Sequence, residues 1–250
     1  MLKVDGITQH FGGLTALEEI TFGITKGEIT GVIGPNGAGK TTLFNIITGL
    51  YTQTAGKVYL DGKDISGFPP ERLAPLGLVR TFQNIEMFSQ MTVLDNVLVG
   101  LHTRSRSGIF SCALKMPWHL IEERRMREDA CRWLEFCGIA DLADTEAGAL
   151  PFGKCRLVEV ARAMAVEPGI LLMDEPAAGL NSRETSELET LIRKIRESGV
   201  TVVLVEHDME LVMDICDRII VLNLGRKLAE GTPREIQENP DVIKAYLGEG

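Results

Sequence analysis

The segment GVIGPNGAGKTT limits this chain to few folds. It holds Gly34, four residues, then Gly39-Lys40-Thr41, directly after the apolar GEITGVIG and before a pattern that predicts a helix over Lys40–Thr48. A strand, a glycine-rich turn and a new helix are the context in which main-chain N–H groups can turn inward around a phosphate chain. From average residue usage, a chance match in a chain this long has a probability on the order of one per cent. The motif assigns Gly34, Pro35, Asn36, Gly37, Ala38, Gly39, Lys40, Thr41 and Thr42 to a triphosphate: Lys40 reaches the β- and γ-phosphates, and the Thr41 hydroxyl ligates Mg²⁺.

A phosphate loop of this kind belongs in an α/β fold, and the remaining pattern agrees. The runs GILLMDEP and GVTVVLVEHD are short stretches of Ile, Leu and Val without polar alternation, as expected of parallel strands covered on both faces. LKVDGITQHF, ITFGI and GKVYLDGKDI predict strands near the N-terminus, and LGLVRTFQN a strand ending near Gln83. Between Thr92 and Val166 the period changes to three and four, with TVLDNVLVGL and IEERRMREDACRWLEFCGI predicting helices. The chain therefore reads as one domain over 1–250, with a core from 1–91 and 167–250 and a helical insertion at 92–166. A further helix is expected over Arg183–Ser198.

Strand ends are where open α/β sheets bind ligands. Asp174 and Glu175 close ILLMDEP; Asp174 is the candidate for holding Mg²⁺ through its water shell, and Glu175 for general base or orienter of the attacking water. Alone, such a pair usually reads as a solvated turn; beside Gly34–Thr41 it points to nucleotide chemistry. His207 follows VTVVLVE, flanked by Glu206 and Asp208, and is either a strand-capping histidine or a donor to the γ-phosphate. Gln83 stands where an amide can touch both Mg²⁺ and the nucleophilic water.

The net charge of −9 argues against a nucleic-acid binder. Five scattered cysteines, among them Cys112, lack the close pairs of a zinc or dithiol site and read as reduced thiols, which suits the cytoplasm. No run approaches the roughly 20 apolar residues that cross a bilayer, and MLKVDGITQHFGG does not resemble a signal peptide. Arg104, Arg106, Lys115, Arg124, Arg125 and Arg127 could meet anionic headgroups, but interleaved Glu122, Glu123, Glu128 and Asp129 favour a salt-bridged helix face. Trp118 and Trp133 read as core.

Taken in order, the phosphate loop, Gln83, Leu150–Lys154, Asp174–Glu175 and His207 resemble the nucleotide-binding subunit of ATP-binding-cassette (ABC) transporters over essentially the whole chain. The resemblance implies a P-loop NTPase fold of the ABC ATPase type. It has an N-terminal antiparallel β subdomain, a mostly parallel RecA-like core sheet and an inserted α-helical subdomain. It also implies ATP and Mg²⁺ as ligands, with Phe11 stacking on adenine in the matching context HFGGLTAL, although a lone aromatic at a strand end is more often packing. Two such subunits, as a homodimer or a heterodimer with a second ABC ATPase, would pair head to tail, with Gly153 acting in trans. Further implied partners are integral membrane permease subunits and, indirectly, a periplasmic or extracellular substrate-binding protein, at the cytoplasmic face of the membrane.

LPFGK departs from the usual L-S-G-G-Q of the signature. Pro151 removes a serine hydroxyl, while Gly153 keeps an N–H at a helix start and Lys154 adds charge. Asn181 stands where many relatives carry aspartate. With EPAAGLN, PDVIKAYLG and HTRSRSGIFSCALKMPWHLIEERR, the chain looks most like the longer ATPase subunit of high-affinity importers of branched-chain amino acids. The alternatives are an ABC ATPase for urea-like amides or lipid export, a soluble ATPase of DNA repair or translation, and a phosphoryl-transfer kinase.

Overall fold

In the computed structural model the described residues are 1–83, 85–102 and 117–247. Along the chain run β1 (Leu2–Phe11), β2 (Leu14–Ile24), β3 (Ile29–Ile33), α1 (Lys40–Ile47), β4 (Ala55–Leu60), β5 (Lys63–Asp64), α2 (Pro70–Leu73) and β6 (Leu78–Thr81). There follow α3 (Val93–His102), α4 (Pro117–Phe136), α5 (Phe152–Ala165), β7 (Ile170–Asp174), α6 (Ser182–Glu197), β8 (Thr201–Val205), α7 (Met209–Ile215), β9 (Arg218–Asn223), β10 (Arg226–Gly231), α8 (Pro233–Gln237) and α9 (Pro240–Leu247). Residues Met1–Gln83 with Gly169–Gly250 form one compact unit, and Asn84–Pro168 another.

The first unit holds both sheets. One is antiparallel, in the order β2-β1-β4-β5; the other runs β10-β9-β3-β8-β7-β6 and is parallel except for the β9–β10 hairpin. Every residue of β3, β7 and β8 is buried, which explains why these strands read as unbroken apolar runs. Val32 pairs with Val205, and Asp174 with Val205, so β3, β8 and β7 end at one level of the sheet. The Gly34 loop, Glu175 and Glu206–His207, each directly beyond one of these strands, are thereby gathered at one edge. Leu43, Phe44, Ile46 and Ile47 of α1 join the core formed by the sheets.

In the second unit α3, α4 and α5 pack on one another. Val93, Val97 and Leu101 line one face of α3, and Leu157, Val160, Ala161 and Met164 one face of α5. Trp133 is half-buried and meets Phe136 edge-on at 5.5 Å between ring centroids. Arg124 pairs with Glu128 at 3.1 Å, and Arg132 with Asp129, on exposed turns of α4. That is the salt-bridged face the interleaved charges predict. Arg104, Arg106, Cys112, Lys115 and the side chain of Trp118 lie outside the described residues.

Strand β6 stops at Thr81, two residues short of the expected end, and Gln83 sits in the bend beyond it. Helix α6 begins at Ser182 because Asn181 caps it. Cys131, Cys137, Cys155 and Cys216 are free thiols, and burial, with Asp217 and Glu206 nearby, pushes the Cys216 thiol up to about 12. Among the described residues no helix is long and apolar enough to cross a membrane.

Candidate active site

The loop between β3 and α1 is shaped by two glycines that nothing else could replace. Gly34 leaves the strand at φ 153°, and a Cβ there would lie 2.1 Å from the Leu222 carbonyl oxygen. Gly39 sits at φ 99°, where a Cβ would meet the Leu17 side chain at 2.6 Å and the Ala16 carbonyl oxygen at 2.8 Å. No side chain caps α1, and its first turn carries no acid. The opening N–H groups and the positive end of the helix dipole thus remain for an anion.

Lys40 folds back over this loop. Its Nζ donates to the carbonyl oxygens of Gly34 at 2.7 Å and Pro35 at 3.1 Å, and the residue is only 8% exposed. Burial pulls its ammonium below the ordinary lysine value, while Glu175 and Asp174 pull it back up. Around the loop opens a cavity of about 570 Å³ lined by Asn36–Thr42, Phe11, Leu14 and Glu175, among others. Phe11 is 44% exposed, with its ring edge-on to Tyr51 at 5.7 Å. Gly34 and Pro35 serve the loop from beneath, through the carbonyls that hold Lys40.

At the end of β7, Asp174 is buried against Arg80, whose Nη2 donates to Oδ2 at 2.5 Å. The same guanidinium donates from Nη1 to Asn45 Oδ1 at 2.7 Å and Thr48 Oγ1 at 3.0 Å. Arg80 therefore ties the strand end to the helix that follows the phosphate loop. Sequence reasoning missed it; the available signal was one arginine inside the otherwise uncharged LGLVRTF.

Glu175 adopts φ 46°, a left-handed conformation that costs a non-glycine residue on the order of 1–3 kcal/mol. Its N–H still donates to the Val205 carbonyl at 2.9 Å, so the chain turns out of the sheet at this residue. Its carboxylate accepts from Gln83 Nε2 at 2.6 Å and stands 3.8 Å from His207 Nδ1. Gln83, Glu175 and His207, far apart in sequence, are thus brought together, with His207 60% exposed. Beside them Glu206 is buried; its carboxylate accepts from the N–H groups of Ala177 and His207. Burial pushes the Glu206 carboxyl up, and those bonds draw it back down.

The expected Mg²⁺ ligands, a hydroxyl on Thr41, an amide on Gln83 and a carboxylate on Asp174, would offer a sparse, all-oxygen donor set; Asp174 Oδ2 accepts from Arg80, and Gln83 Nε2 donates to Glu175. No cluster of three or more acidic, histidine or cysteine residues suited to a metal occurs among the described residues. That sparseness fits Mg²⁺, which keeps most of its shell as water and substrate phosphate, better than a metal caged by protein.

Pro151 is the N-cap of α5 with no side-chain cap bond, and its carbonyl accepts from Lys154 N–H at 2.9 Å. Gly153 is buried at the helix start, in the second unit, and Phe152 is half exposed beside it. Asn181 is committed to its own helix: its Oδ1 accepts from Arg183 and Glu184 N–H, both at 3.1 Å, and Glu184 returns a bond to the Asn181 N–H.

A family model described as ABC transporter matches residues 17–178, and one described as branched-chain amino acid ATP-binding cassette transporter matches 226–250. The "High-affinity branched-chain amino acid transport ATP-binding protein BraF" of Pseudomonas aeruginosa is 48% identical over 250 residues, covering 100% of this chain and 98% of the relative. Among solved structures, the ADP conformation of an ATP-binding cassette of an ABC transporter superposes with a TM-score of 0.87 at 34% identity, covering 100% of this chain and 99% of that one. A dimeric post-hydrolysis cassette bound to ADP and Pi gives 0.78 at 28% identity, covering 94% and 99%. The two sheets and the helices are those of the ABC ATPase fold.

Proposed function

The chain belongs to the ABC transporter family of ATP-binding cassettes, and from that premise we propose that it is the ATP-hydrolysing subunit of an importer of branched-chain or other hydrophobic amino acids. The observation that carries the hydrolytic reading is the position of Glu175: at the lip of the phosphate-loop cavity, held between Gln83 and His207.

ATP places its phosphates against the N–H groups of the loop and of the α1 start, with adenine against Phe11. Lys40 exchanges the Gly34 and Pro35 carbonyls for phosphate oxygens, which relieves the burial of its charge. Thr41, Gln83 and Asp174 would hold Mg²⁺, whose charge neutralises that building on the phosphates. Glu175 orients a water for in-line attack and accepts its proton, while His207 donates toward the γ-phosphate.

A second cassette, identical or not, completes the site through Gly153 on the unit at 84–168, where the sequence predicts the helical signature subdomain over 92–166. The dimeric relative with ADP and Pi supports the pairing of two cassettes. ATP thus favours the closed pair and hydrolysis reopens it, since a ligand drives a switch only by differential affinity for its two states. Separate permease subunits convert the motion into transport, with the cassette peripheral at the cytoplasmic face. Calorimetry with MgATP, together with phosphate release, tests the reading: wild-type chain binds and hydrolyses, and Lys40→Ala does neither. Undiminished uptake by that variant removes the basis of the proposal.

A further inference from the structure

Glu206 is only 1% exposed, and no lysine or arginine pairs with it among the described residues. Burying a carboxylate without a lysine or arginine is costly, and the structure compensates with main-chain donors, beside the His207 ring, whose Nδ1 lies 4.0 Å from Oε2. Oε1 accepts from Ala177 N–H at 2.8 Å, and Oε2 from His207 N–H at 3.2 Å. Ala177 lies two residues beyond Glu175, in the turn closed by Ala178 N–H to the Glu175 carbonyl at 3.1 Å.

The sheet ladder between β7 and β8 has its last bond at Glu175 N–H to the Val205 carbonyl, 2.9 Å long. Past that point the left-handed φ of Glu175 carries the chain away from the strand. Glu206, the next residue after Val205, extends the pairing with its side chain where the backbone no longer can. One carboxylate therefore holds both the turn that aims Glu175 and the turn that carries His207.

We propose that Glu206 is a positioning residue for ATP hydrolysis, clamping the Glu175 and His207 turns together through the Ala177 and His207 amides. The inference rests on the ATPase reading. Glu206→Gln keeps volume but has one acceptor oxygen, so its NH₂ group opposes one of the two N–H donors.

Three measurements on the purified full chain decide the matter: phosphate release, MgATP affinity, and hydrogen exchange at the Ala177 and His207 amides. Glu206→Gln should lower kcat roughly tenfold to a hundredfold, as misplacing reacting groups does, while MgATP affinity stays within about twofold. Exchange at both amides should accelerate. In a His207→Ala background the same change should cost less than in the wild type but still lower kcat, because the Glu175 turn remains to be displaced. If Glu206→Gln fails to fold, Glu206→Asp serves; one methylene shorter, it reaches only one turn, and should show reduced kcat with unchanged affinity.

A kcat within about twofold of wild type overturns the proposal, as does unaltered exchange at both amides. So does a loss of kcat matched by an equal loss of MgATP affinity, which marks a merely structural acid. Wild-type chain that hydrolyses no MgATP is a separate result, and it sinks the ATPase reading itself.

Discussion

Arg80 and Asp174 form a buried ion pair, with Nη2 and Oδ2 2.5 Å apart and both side chains almost wholly shielded from solvent. Removing one partner strands the other, which typically costs about 3–5 kcal/mol. Arg80→Met should therefore lower the urea midpoint strongly, and Arg80→Met with Asp174→Asn should recover much of the loss. Arg80→Lys keeps the charge but not the fork that reaches Asn45, Thr48 and Asp174 together. It should fall between wild type and Arg80→Met. Equal midpoints for Arg80→Met and wild type would remove the pair from any structural role.

Two loop glycines make a matched test. Gly39 combines φ 99° with backbone and side-chain neighbours inside 3 Å of a Cβ, whereas Gly37, at φ 79°, has nothing within 4 Å. Gly37→Ala should cost only the left-handed penalty of about 1–2 kcal/mol. Gly39→Ala must in addition displace Leu17 or the Ala16 carbonyl, and should abolish MgATP binding measured by calorimetry. Equal affinities in the two variants would show that crowding at Gly39 is absorbed elsewhere.

Much of this was legible in the sequence because the informative residues sit at strand ends. A fully buried parallel strand has a short apolar run, and the polar group after it is delivered to one edge, so Glu175 and His207 could be picked out without coordinates. Arg80 could not, since its meaning depends on Asn45, Thr48 and Asp174, which approach it only when β6 packs beside β7 and α1. Glu206 reads as a flanking acid; only the strained turn at Glu175 makes its side chain a continuation of the sheet. Asn181, set in the sequence against an expected aspartate, is occupied with capping α6. Gln83 reads as the end of a strand that the chain leaves at Thr81.

Glu175→Gln preserves shape and replaces the acceptor that Gln83 and His207 now flank. Loss of a general base typically lowers rate by about 10²–10⁴-fold, and no atom of the phosphate loop is touched. Phosphate release should fall by that order, MgATP affinity should hold, and ATP should accumulate a closed pair of chains visible by light scattering. A variant that releases phosphate at the wild-type rate would move the base to another residue.

Lys40 links nucleotide binding to pH. Burial lowers its ammonium below the ordinary value of 10.5, with Glu175 and Asp174 opposing. Phosphate oxygens replacing the Gly34 and Pro35 carbonyls would raise it, because anions favour the charged form. Between the lowered value and the raised one, the empty chain has released part of a proton that the bound chain holds, so binding must take that fraction up. MgATP affinity should then fall as pH rises through the lowered value. Calorimetry over a pH series rising towards the ordinary value of 10.5, in buffers differing in ionisation enthalpy, reads the uptake directly. Binding heats that do not vary with buffer there would mean that Lys40 is equally charged in both states, and that its desolvation has no part in recognising phosphate.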